Sequence, residues 1–207
     1  MPGSDIFQQV SGVSRETSDR LDFLEHLVRK WNPSINLVSK DSLPYLRSRH
    51  VNDSIQIFSL VDFTKGNWCD LGSGGGFPGL VVAILAHETK KQLQVKLVES
   101  DGRKAAFLRE AIRQLEIEAT VVNSRIEDLQ PLGATVISAR ALASLSRLCG
   151  YAERHLSAEG VALFPKGATY QCEVDEARKN WAFDIILHPS KTDITAAILE
   201  FRNIRHV

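Results

Sequence analysis

The chain has 207 residues, of which 43% are hydrophobic, so it can form one main domain with a substantial core and an appendage. No apolar run approaches the roughly 20 residues that a membrane-spanning helix needs. The 25 basic and 25 acidic side chains balance to zero net charge, which argues mildly against a nucleic-acid partner, so any RNA contact must come from a local basic patch.

The N-terminal segment, residues 1–62, reads as a helical extension. Ser14 can cap a helix whose apolar residues recur at three- and four-residue intervals, at Leu21, Leu24, Leu27, Val28 and Trp31. Pro33 is expected to interrupt this helix, and Pro44 is expected to open a further helix that runs to Ile57. We predict that this extension packs on a second region, residues 63–207.

From Thr64 onward, short apolar strands alternate with helical stretches, which is typical of a parallel sheet covered by helices on both faces. Strands are predicted near 67–71, 94–99, 119–123, 134–138, 160–165, 181–187 and 195–201, and helices near 78–87, 103–115, 144–155 and 171–179. In such a sheet, ligands bind at the carboxyl ends of the strands, near the point where the strand order reverses.

The most informative segment is the glycine-rich stretch at residues 69–79, with the sequence CDLGSGGGFPG. It lies between a short apolar strand and the apolar run of residues 80–86, so the pattern is strand, glycine-rich turn and helix. Glycines let the backbone approach a ligand closely, and the helix that follows offers free N–H groups. The turn is therefore a candidate ligand site.

Two classes of ligand compete for this turn. Gly74, Gly76 and Gly79 fit the G-x-G-x-x-G spacing of dinucleotide-binding domains, which would make the protein an NAD-dependent oxidoreductase. The D-x-G-x-G-x-G pattern of S-adenosylmethionine (SAM) methyltransferases instead starts at Asp70 and includes Gly72. A carboxylate is unfavourable beside a pyrophosphate, whereas SAM carries a sulfonium, an ammonium and no phosphate. The second interpretation is favoured.

Acidic and apolar residues follow the next two strands. Glu99 ends the second strand, where it can accept hydrogen bonds from the ribose hydroxyls of an adenosine or remain a solvated carboxylate. After the third strand, Ile126 and Glu127 fall where the adenine should lie. The alternative is a capping turn in which Ser124 and Glu127 bond reciprocally.

Basic residues follow the fourth and fifth strands. Arg140 either pairs with Asp70 or Glu99 as a structural brace, or contacts cofactor or substrate. Lys166 either binds phosphate or is a solvated tip. Further basic groups that can face the same rim, or form ordinary solvated helix faces, are Arg47, Arg49, His50, Arg103 and Lys104.

The chain resembles the small-subunit (16S) ribosomal RNA guanine-N7 methyltransferases, first described as glucose-inhibited division protein B. The resemblance spans nearly the whole chain and is most selective in the R-H-x-x-D-S segment at residues 49–54 and in the F-P-G continuation at residues 77–79. It also rests on residues 31–32 and 36–37, 103–104 with 107–108, 124–127, 138–141 and 166–167.

The resemblance implies a class I SAM-dependent methyltransferase with a Rossmann-like, seven-stranded, mostly parallel sheet. It implies that Gly72 and Phe77 line the SAM pocket, that Ile126 and Glu127 contact the adenosine, and that Arg140 belongs to the site. Its substrate would be one guanine in the decoding-region loop of 16S rRNA, presented on the small ribosomal subunit or an assembly intermediate.

Methylation at N7 requires little catalytic machinery. N7 of guanine bears no proton, so no general base is needed, and the rate must come mainly from positioning and electrostatics. Asp70 and Glu99 are expected to hold the cofactor, together with Gly74. Arg140 and Lys166 are expected to position the RNA, and no side chain is assigned as catalytic.

Other residues bear on compartment and on rival functions. Cys69, Cys149 and Cys172 lack C-x-x-C spacing, the six histidines form no H-x-x-x-H pair, and the first residues lack the pattern of a signal peptide. We expect a reduced, cytoplasmic protein without a metal site. A methyltransferase acting on a small molecule or another RNA, or a non-enzymatic scaffold, remains an alternative.

Overall fold

The computed structural model describes residues 13–89 and 91–207. Helix α1 spans Arg15–Ile35, and the Ser14 hydroxyl caps it by accepting a hydrogen bond from the backbone N–H of Thr17 at 3.2 Å. The expectation that Pro33 interrupts this helix is wrong. Because Pro33 lies in the last turn, it removes only one backbone hydrogen bond near the helix end, and the helix stops at Asn36, whose φ is 49°.

The segment after α1 forms three short helical pieces. They are a 3₁₀-helix over Lys40–Tyr45, a π-helix over Leu46–Val51 and helix α2 over Asn52–Ser59. Pro44 therefore lies inside the 3₁₀-helix and does not open the helix that follows, contrary to expectation. The π-helix carries Arg47, Arg49 and His50, and the last two line a cavity together with the glycine-rich turn.

The remaining chain forms the predicted alternation of strands and helices. The strands are β1 Lys65–Leu71, β2 Gln92–Val98, β3 Thr120–Val122, β4 Ala134–Ala139, β5 Leu156–Lys166, β6 Trp181–Pro189 and β7 Ala197–His206. The helices are α3 Gly79–Glu88, α4 Gly102–Leu115, α5 Leu145–His155 and α6 Tyr170–Ala177.

The strands build one seven-stranded sheet in the order β3-β2-β1-β4-β5-β7-β6. Strands β1 to β5 pair in parallel, and β7 runs antiparallel to both of its neighbours. The predicted mostly parallel sheet is confirmed. The strand order reverses between β1 and β4, so a ligand is expected at the carboxyl ends of these two strands.

Hydrophobic side chains form a cluster on each face of the sheet. One cluster joins β1 and β2 to helices α3 and α4 and also takes in Leu24 and Leu27 of α1 and Leu46 and Val51 of the π-helix. The other joins β4 and β5 to helices α5 and α6. The N-terminal helices thus share a core with the sheet, while the boundary near residue 62 stays a prediction.

Helix α3 is buried on every side from Gly79 to Ala86, which explains its uniformly apolar sequence. Among the described ranges, no helix is both long enough and apolar enough to cross a membrane.

Candidate functional site

The glycine-rich turn joins β1 to α3 at the switch point of the sheet. Gly72 has a φ of 68°, and a Cβ there would lie 2.5 Å from a methyl carbon of Leu142, so a side chain is excluded both by backbone strain and by space. Gly74 has a φ of 51°, but a Cβ there would meet no protein atom nearer than 3.7 Å. A side chain at Gly74 would therefore project into the open space above the turn.

Asp70 lies beneath the turn and does not line the cavities above it. Its carboxylate accepts hydrogen bonds from the Ser138 hydroxyl at 2.7 Å and from the backbone N–H of Gly79 at 3.2 Å. The residue is 1% exposed, and this burial raises its pKa to about 6. The expectation that Asp70 holds the cofactor directly does not fit this geometry; instead, the side chain ties the turn to β4 and to the start of α3.

Glu99 lies at the end of β2 and holds the turn from the other side. Its Oε2 accepts a hydrogen bond from the Gly74 N–H at 2.8 Å, and its Oε1 accepts one from the Asp101 N–H at 2.8 Å. Asn123, which follows β3, supports it by donating a hydrogen bond to the Glu99 carbonyl at 2.8 Å. The carboxylate is therefore fixed at the floor of a cavity that it also lines.

Three cavities lie along the carboxyl edge of the sheet. Cavity A, of about 310 Å³, lies above β2 and β3 and is lined by Gly72, Gly74, Glu99, Lys104, Ile126, Glu127, Leu142, Arg147 and Tyr151, among others. Cavity B, of about 410 Å³, lies above the turn and is lined by Gly72–Gly75, Phe77, Arg49, His50, Lys104 and Arg140, among others. Cavity C, of about 330 Å³, lies beyond Arg140, at the ends of β4 and β5.

Cavities A and B meet at the turn, because both are lined by Gly72, Gly74 and Lys104. An elongated ligand can thus lie across the turn. Most of the residues predicted to bind the cofactor, from Gly72 to Arg140, border this continuous space. Asp70 is the exception, for the reason given above.

In cavity A, Glu127 is held by two residues that the sequence did not single out. Its Oε1 accepts hydrogen bonds from Tyr151 at 2.5 Å and from Arg147 at 2.6 Å, and these contacts lower its pKa to about 2. The alternative capping turn does not form, because the Ser124 hydroxyl donates to the Arg125 carbonyl instead. Tyr151 and Arg147 lie on α5, where no strand end marks them.

Arg140, at the end of β4, joins the sheet to the N-terminal segment. Its Nη1 lies 2.5 Å from His50 Nδ1, and its Nη2 lies 3.7 Å from Asp53 Oδ2. The expected brace to Asp70 or Glu99 is therefore wrong. The partners of Arg140 come instead from the helices over residues 46–59, about 90 positions earlier in the chain.

His50 is neutral in this setting. Burial and the charges of Arg140 and Arg49 lower its pKa to about 3. Since a guanidinium can only donate, His50 Nδ1 must accept and the proton must reside on Nε2. Within the described part of the chain, Nε2 is buried without a hydrogen-bond partner, and the ring packs 5.1 Å from Phe77 in the wall of cavity B.

The predicted RNA-binding residues divide into those that line a cavity and those that do not. Lys104 lines cavities A and B, Arg49 is 56% exposed at the rim of B and C, and Lys166 lines cavity C. Lys166 Nζ is also held by Glu173 at 2.7 Å and by the Ala143 carbonyl at 3.1 Å. Arg103 is exposed, pairs with its neighbour Asp101 and lines none of the three cavities.

The prediction that Arg47 faces the same rim does not fit the structure. The guanidinium pairs with Asp22 and with Glu25 of α1, the latter through Nε at 2.6 Å, and its burial lowers its pKa to about 10. These contacts join the π-helix to α1. Arg47 is therefore a structural ion-pair partner, because the π-helix directs it toward α1 while the neighbouring Arg49 and His50 face the cavities.

The N-terminal segment supplies cavity walls that the sequence did not reveal. Leu37, Val38, Ser39 and Ser42 line cavity B, and a Cβ on Gly75 would lie 3.2 Å from the Leu37 carbonyl oxygen. The chain after α1 is thus a cover over the turn. Leu37 belongs to a segment on which the family resemblance rests, but nothing in that segment marks a cavity wall, so only the fold brings these residues to the site.

The donor set of cavities A and B fits SAM. Glu99 offers carboxylate oxygens that can accept hydrogen bonds from ribose hydroxyls, and Ile126, Leu142 and Tyr151 offer apolar and aromatic surface for an adenine. The turn adds a side-chain-free surface at Gly74. A pyrophosphate fits poorly, since the Glu99 carboxylate already occupies the Gly74 N–H that a phosphate would need.

Solved structures share this fold. A TehB-like SAM-dependent methyltransferase from Corynebacterium glutamicum superposes with a TM-score of 0.57 at 14% identity, over 87% of this chain and 98% of that one. The protein TYW2 of M. jannaschii, solved in complex with AdoMet, gives a TM-score of 0.54 at 11% identity, over 76% of each chain. The fold is that of the class I SAM-dependent methyltransferases.

Sequence comparison is more specific. A protein named ribosomal RNA small subunit methyltransferase G from Ruegeria pomeroyi is 52% identical over 196 residues, which are 94% of this chain and 95% of that protein. The protein of the same name from Brucella ovis is 48% identical over 198 residues, 95% of this chain and 92% of that protein. The model of the GidB family, rRNA small subunit methyltransferase G, matches residues 18–199, and the chain belongs to this family.

Proposed function

We propose that this protein transfers a methyl group from SAM to N7 of a guanine in the decoding-region loop of 16S rRNA. One observation carries the proposal: the Gly72–Gly76 turn, held by Glu99 at the switch point of the sheet, lies between cavity A, where Glu99 and Ile126 can hold an adenosine, and cavity B, where Arg49 and Arg140 can face an RNA. Family membership then supports ribosomal RNA over a small molecule as the acceptor.

Each side of the site has a defined role in this proposal. Glu99, Ile126 and Glu127 hold the adenosine part of the cofactor in cavity A, and Gly72, Gly74 and Phe77 form the surface that it crosses. When bound, SAM supplies an electrophilic methyl group on a sulfonium. Asp70 acts through the turn, because its carboxylate binds Gly79 and Ser138 beneath it.

The acceptor side needs no base. Guanine N7 has a free lone pair, so the protein must orient the base, exclude water and balance charge. His50 fits this demand, since its lowered pKa keeps it neutral and unable to add a positive charge near the methyl group. Arg140 and Lys166 position the RNA, and Arg49 and Lys104 provide cations at the rim.

The form of the substrate follows from the position of N7. N7 lies on the major-groove edge, which side chains cannot reach in an A-form helix, so the guanine must lie in a loop or be flipped out. We propose that it is presented on the small ribosomal subunit or an assembly intermediate, which places the protein in the cytoplasm. We also propose that residues 1–62 act as an extension that covers the catalytic domain of residues 63–207.

Mass spectrometry of nucleosides from 16S rRNA tests this function. Cells without the protein should lose one 7-methylguanosine, and expression of the wild type should restore it. A Glu99→Ala variant should restore little, because both the ribose acceptor and the support of Gly74 are lost. Unchanged 7-methylguanosine in the cells without the protein would refute the proposal.

A further inference from the structure

Cavity C contains a partly buried carboxylate to which the proposed function gives no role. Asp53 of α2 lines this cavity together with Arg140, Lys166 and Thr192. Its side chain is 16% exposed. Asp53 does not line cavity B, whereas Arg140 lines both, so the carboxylate lies on the far side of Arg140 from the glycine turn.

Asp53 is held in place by one hydrogen bond and one long ion pair. Oδ1 accepts a hydrogen bond from the Thr192 hydroxyl. Oδ2 stands 3.7 Å from Arg140 Nη2, which is longer than the roughly 2.7–2.9 Å of a charge-assisted hydrogen bond. Arg140 instead makes its close contact with His50. Arg140 thus neutralises the charge of Asp53 but leaves its carboxylate able to accept further hydrogen bonds.

The other carboxylates of cavity C are engaged differently. Glu173 Oε2 is bound by Lys166 at 2.7 Å and by the Leu145 N–H at 3.2 Å. Asp193 Oδ1 is bound by the N–H and hydroxyl of Thr195, and its side chain is 37% exposed at the rim. Asp53 is distinguished from both because it lies beside Arg140, which lines both cavity B and cavity C.

We infer that cavity C binds the target guanine base and that Asp53 accepts hydrogen bonds from its N1–H and N2 amino group. This inference rests on the proposed function and names the residue that selects the base. Guanine presents two adjacent donors on this edge, which match the two oxygens of a carboxylate, whereas adenine presents an acceptor at N1. The cavity volume of about 330 Å³ is ample for a purine ring.

This placement also orients N7. The N1 and N2 groups lie on the opposite side of the purine from N7, so a base held at Asp53 directs N7 back past Arg140 toward cavity B and the turn. A carboxylate bound to N1–H also raises electron density in the ring, which favours N7 as a nucleophile. Selection of the base and alignment of its reactive nitrogen then follow from one contact.

Changing the target base and the Asp53 side chain, separately and together, tests the contact directly. The RNA is 16S rRNA assembled with either guanosine or inosine at the modified position; inosine keeps N1–H and N7 but lacks the N2 amino group. The enzymes are wild type, Asp53→Asn and the matched variant Asp193→Asn, which changes another cavity C carboxylate. The quantity measured is kcat/KM for methyl transfer with each RNA.

With the wild type, inosine should lower kcat/KM by about tenfold or more, because one hydrogen bond to a charged group is lost. Asp53→Asn should lower kcat/KM for guanosine by a similar factor and accept the two RNAs within about twofold of each other. Asp193→Asn should keep the wild-type inosine penalty. An inosine penalty that is absent in the wild type, or undiminished in Asp53→Asn, overturns the inference.

Two controls keep the outcomes separate. Absence of methyl transfer by the wild type to the guanosine RNA refutes the proposed function, whereas transfer without discrimination refutes only the role of Asp53. If Asp53→Asn does not fold, Thr192→Val provides the second comparison, since it removes the hydrogen bond that fixes the carboxylate. A smaller inosine penalty in Thr192→Val supports the inference, and an unchanged one overturns it.

Discussion

Glu99 Oε2 accepts a hydrogen bond from the backbone N–H of Gly74 at 2.8 Å, so the acid that ends β2 fixes the turn that follows β1. The same carboxylate binds the Asp101 N–H through its other oxygen. Glu99 therefore has two tasks in the proposed site: it shapes the turn, and it presents its remaining lone pairs to cavity A.

Glu99→Gln should weaken SAM binding by about tenfold or more. In the wild type, the carboxylate accepts hydrogen bonds from two backbone N–H groups. In the variant, the amide NH₂ faces one of these N–H groups, and since both are donors, the turn loses one of its two hydrogen bonds. Titration calorimetry with SAM measures the change. Glu118→Gln, which alters an exposed glutamate outside the three cavities, serves as the control. Equal SAM affinity in the wild type and in Glu99→Gln would contradict the role of this residue.

Gly74→Ala and Gly133→Ala form a matched pair. Their φ values are 51° and 57°, so each substitution should lower the free energy of unfolding by roughly 1–2 kcal/mol through backbone strain alone. Only the Cβ of Gly74→Ala projects into the space above the turn, so only this variant should also lose SAM affinity. Chemical denaturation and calorimetry measure the two effects. A loss of affinity in both variants, or in neither, would speak against a cofactor crossing Gly74.

Asp70 should give a measurable pH dependence of stability. Because burial raises its pKa from about 3.8 to about 6, the folded state binds the proton more tightly than the unfolded state between these values. Its contribution to the free energy of unfolding is therefore greatest below about pH 4 and is lost as the pH rises to about 6. Asp70→Asn should remove this part of the slope.

Denaturation curves at several pH values measure that difference between the wild type and Asp70→Asn. Asp62→Asn, at a fully exposed side chain, is the control and should keep the wild-type slope. Asp70→Ala should cost about 2–4 kcal/mol at neutral pH, since the Gly79 N–H and the Ser138 hydroxyl lose their acceptor. An identical pH slope in Asp70→Asn and wild type would show that Asp70 does not titrate as described.

Arg140→Ala should reduce methyl transfer more than SAM binding. The substitution removes the hydrogen-bond partner of His50 and the cation beside Asp53, both on the acceptor side of the turn. We expect kcat/KM for RNA to fall by about tenfold or more and the Kd for SAM to change by less than about threefold. Arg113→Ala, at an exposed arginine paired with Glu110, is the control. Normal turnover would leave Arg140 as a structural brace.

Arg47 and Arg49 should differ although they are two residues apart. Arg49→Ala and Lys104→Ala should each reduce the salt dependence of RNA binding, because each removes a cation that can neutralise a phosphate. Arg47→Ala should leave that dependence unchanged and lower the free energy of unfolding by about 2 kcal/mol or more, since Glu25 of α1 then keeps only its longer ion pair with Arg29, at 3.8 Å. A flat salt response in the wild type would remove the basic rim from the proposed site.

The sequence predicted the parts of the site that lie at strand ends. Gly72 and Glu99 follow β1 and β2 directly, Ile126 comes four residues after β3, and parallel strands bring these positions to one edge. Asp70 differs because it is the penultimate residue of β1, and the last four residues of that strand are all buried. The sequence of this strand therefore does not show which side chains face a cavity and which are buried in the core.

The parts that the sequence did not predict depend on long-range packing. Arg140 finds His50 and Asp53 only because the N-terminal helices fold over the sheet. Tyr151 and Arg147 reach cavity A from one face of α5, where their spacing is equally typical of an ordinary solvated helix face. The sequence does not distinguish Arg47 from Arg49, because only the packing of the π-helix against α1 decides which of the two meets Asp22 and Glu25.

The most direct test of the central claim uses purified protein, SAM with an isotopically labelled methyl group, and small ribosomal subunits from cells that lack the protein. We expect the label to enter 16S rRNA at a single guanine and to be recovered as 7-methylguanosine. Label recovered in any other nucleoside, or none transferred to the RNA, would contradict it.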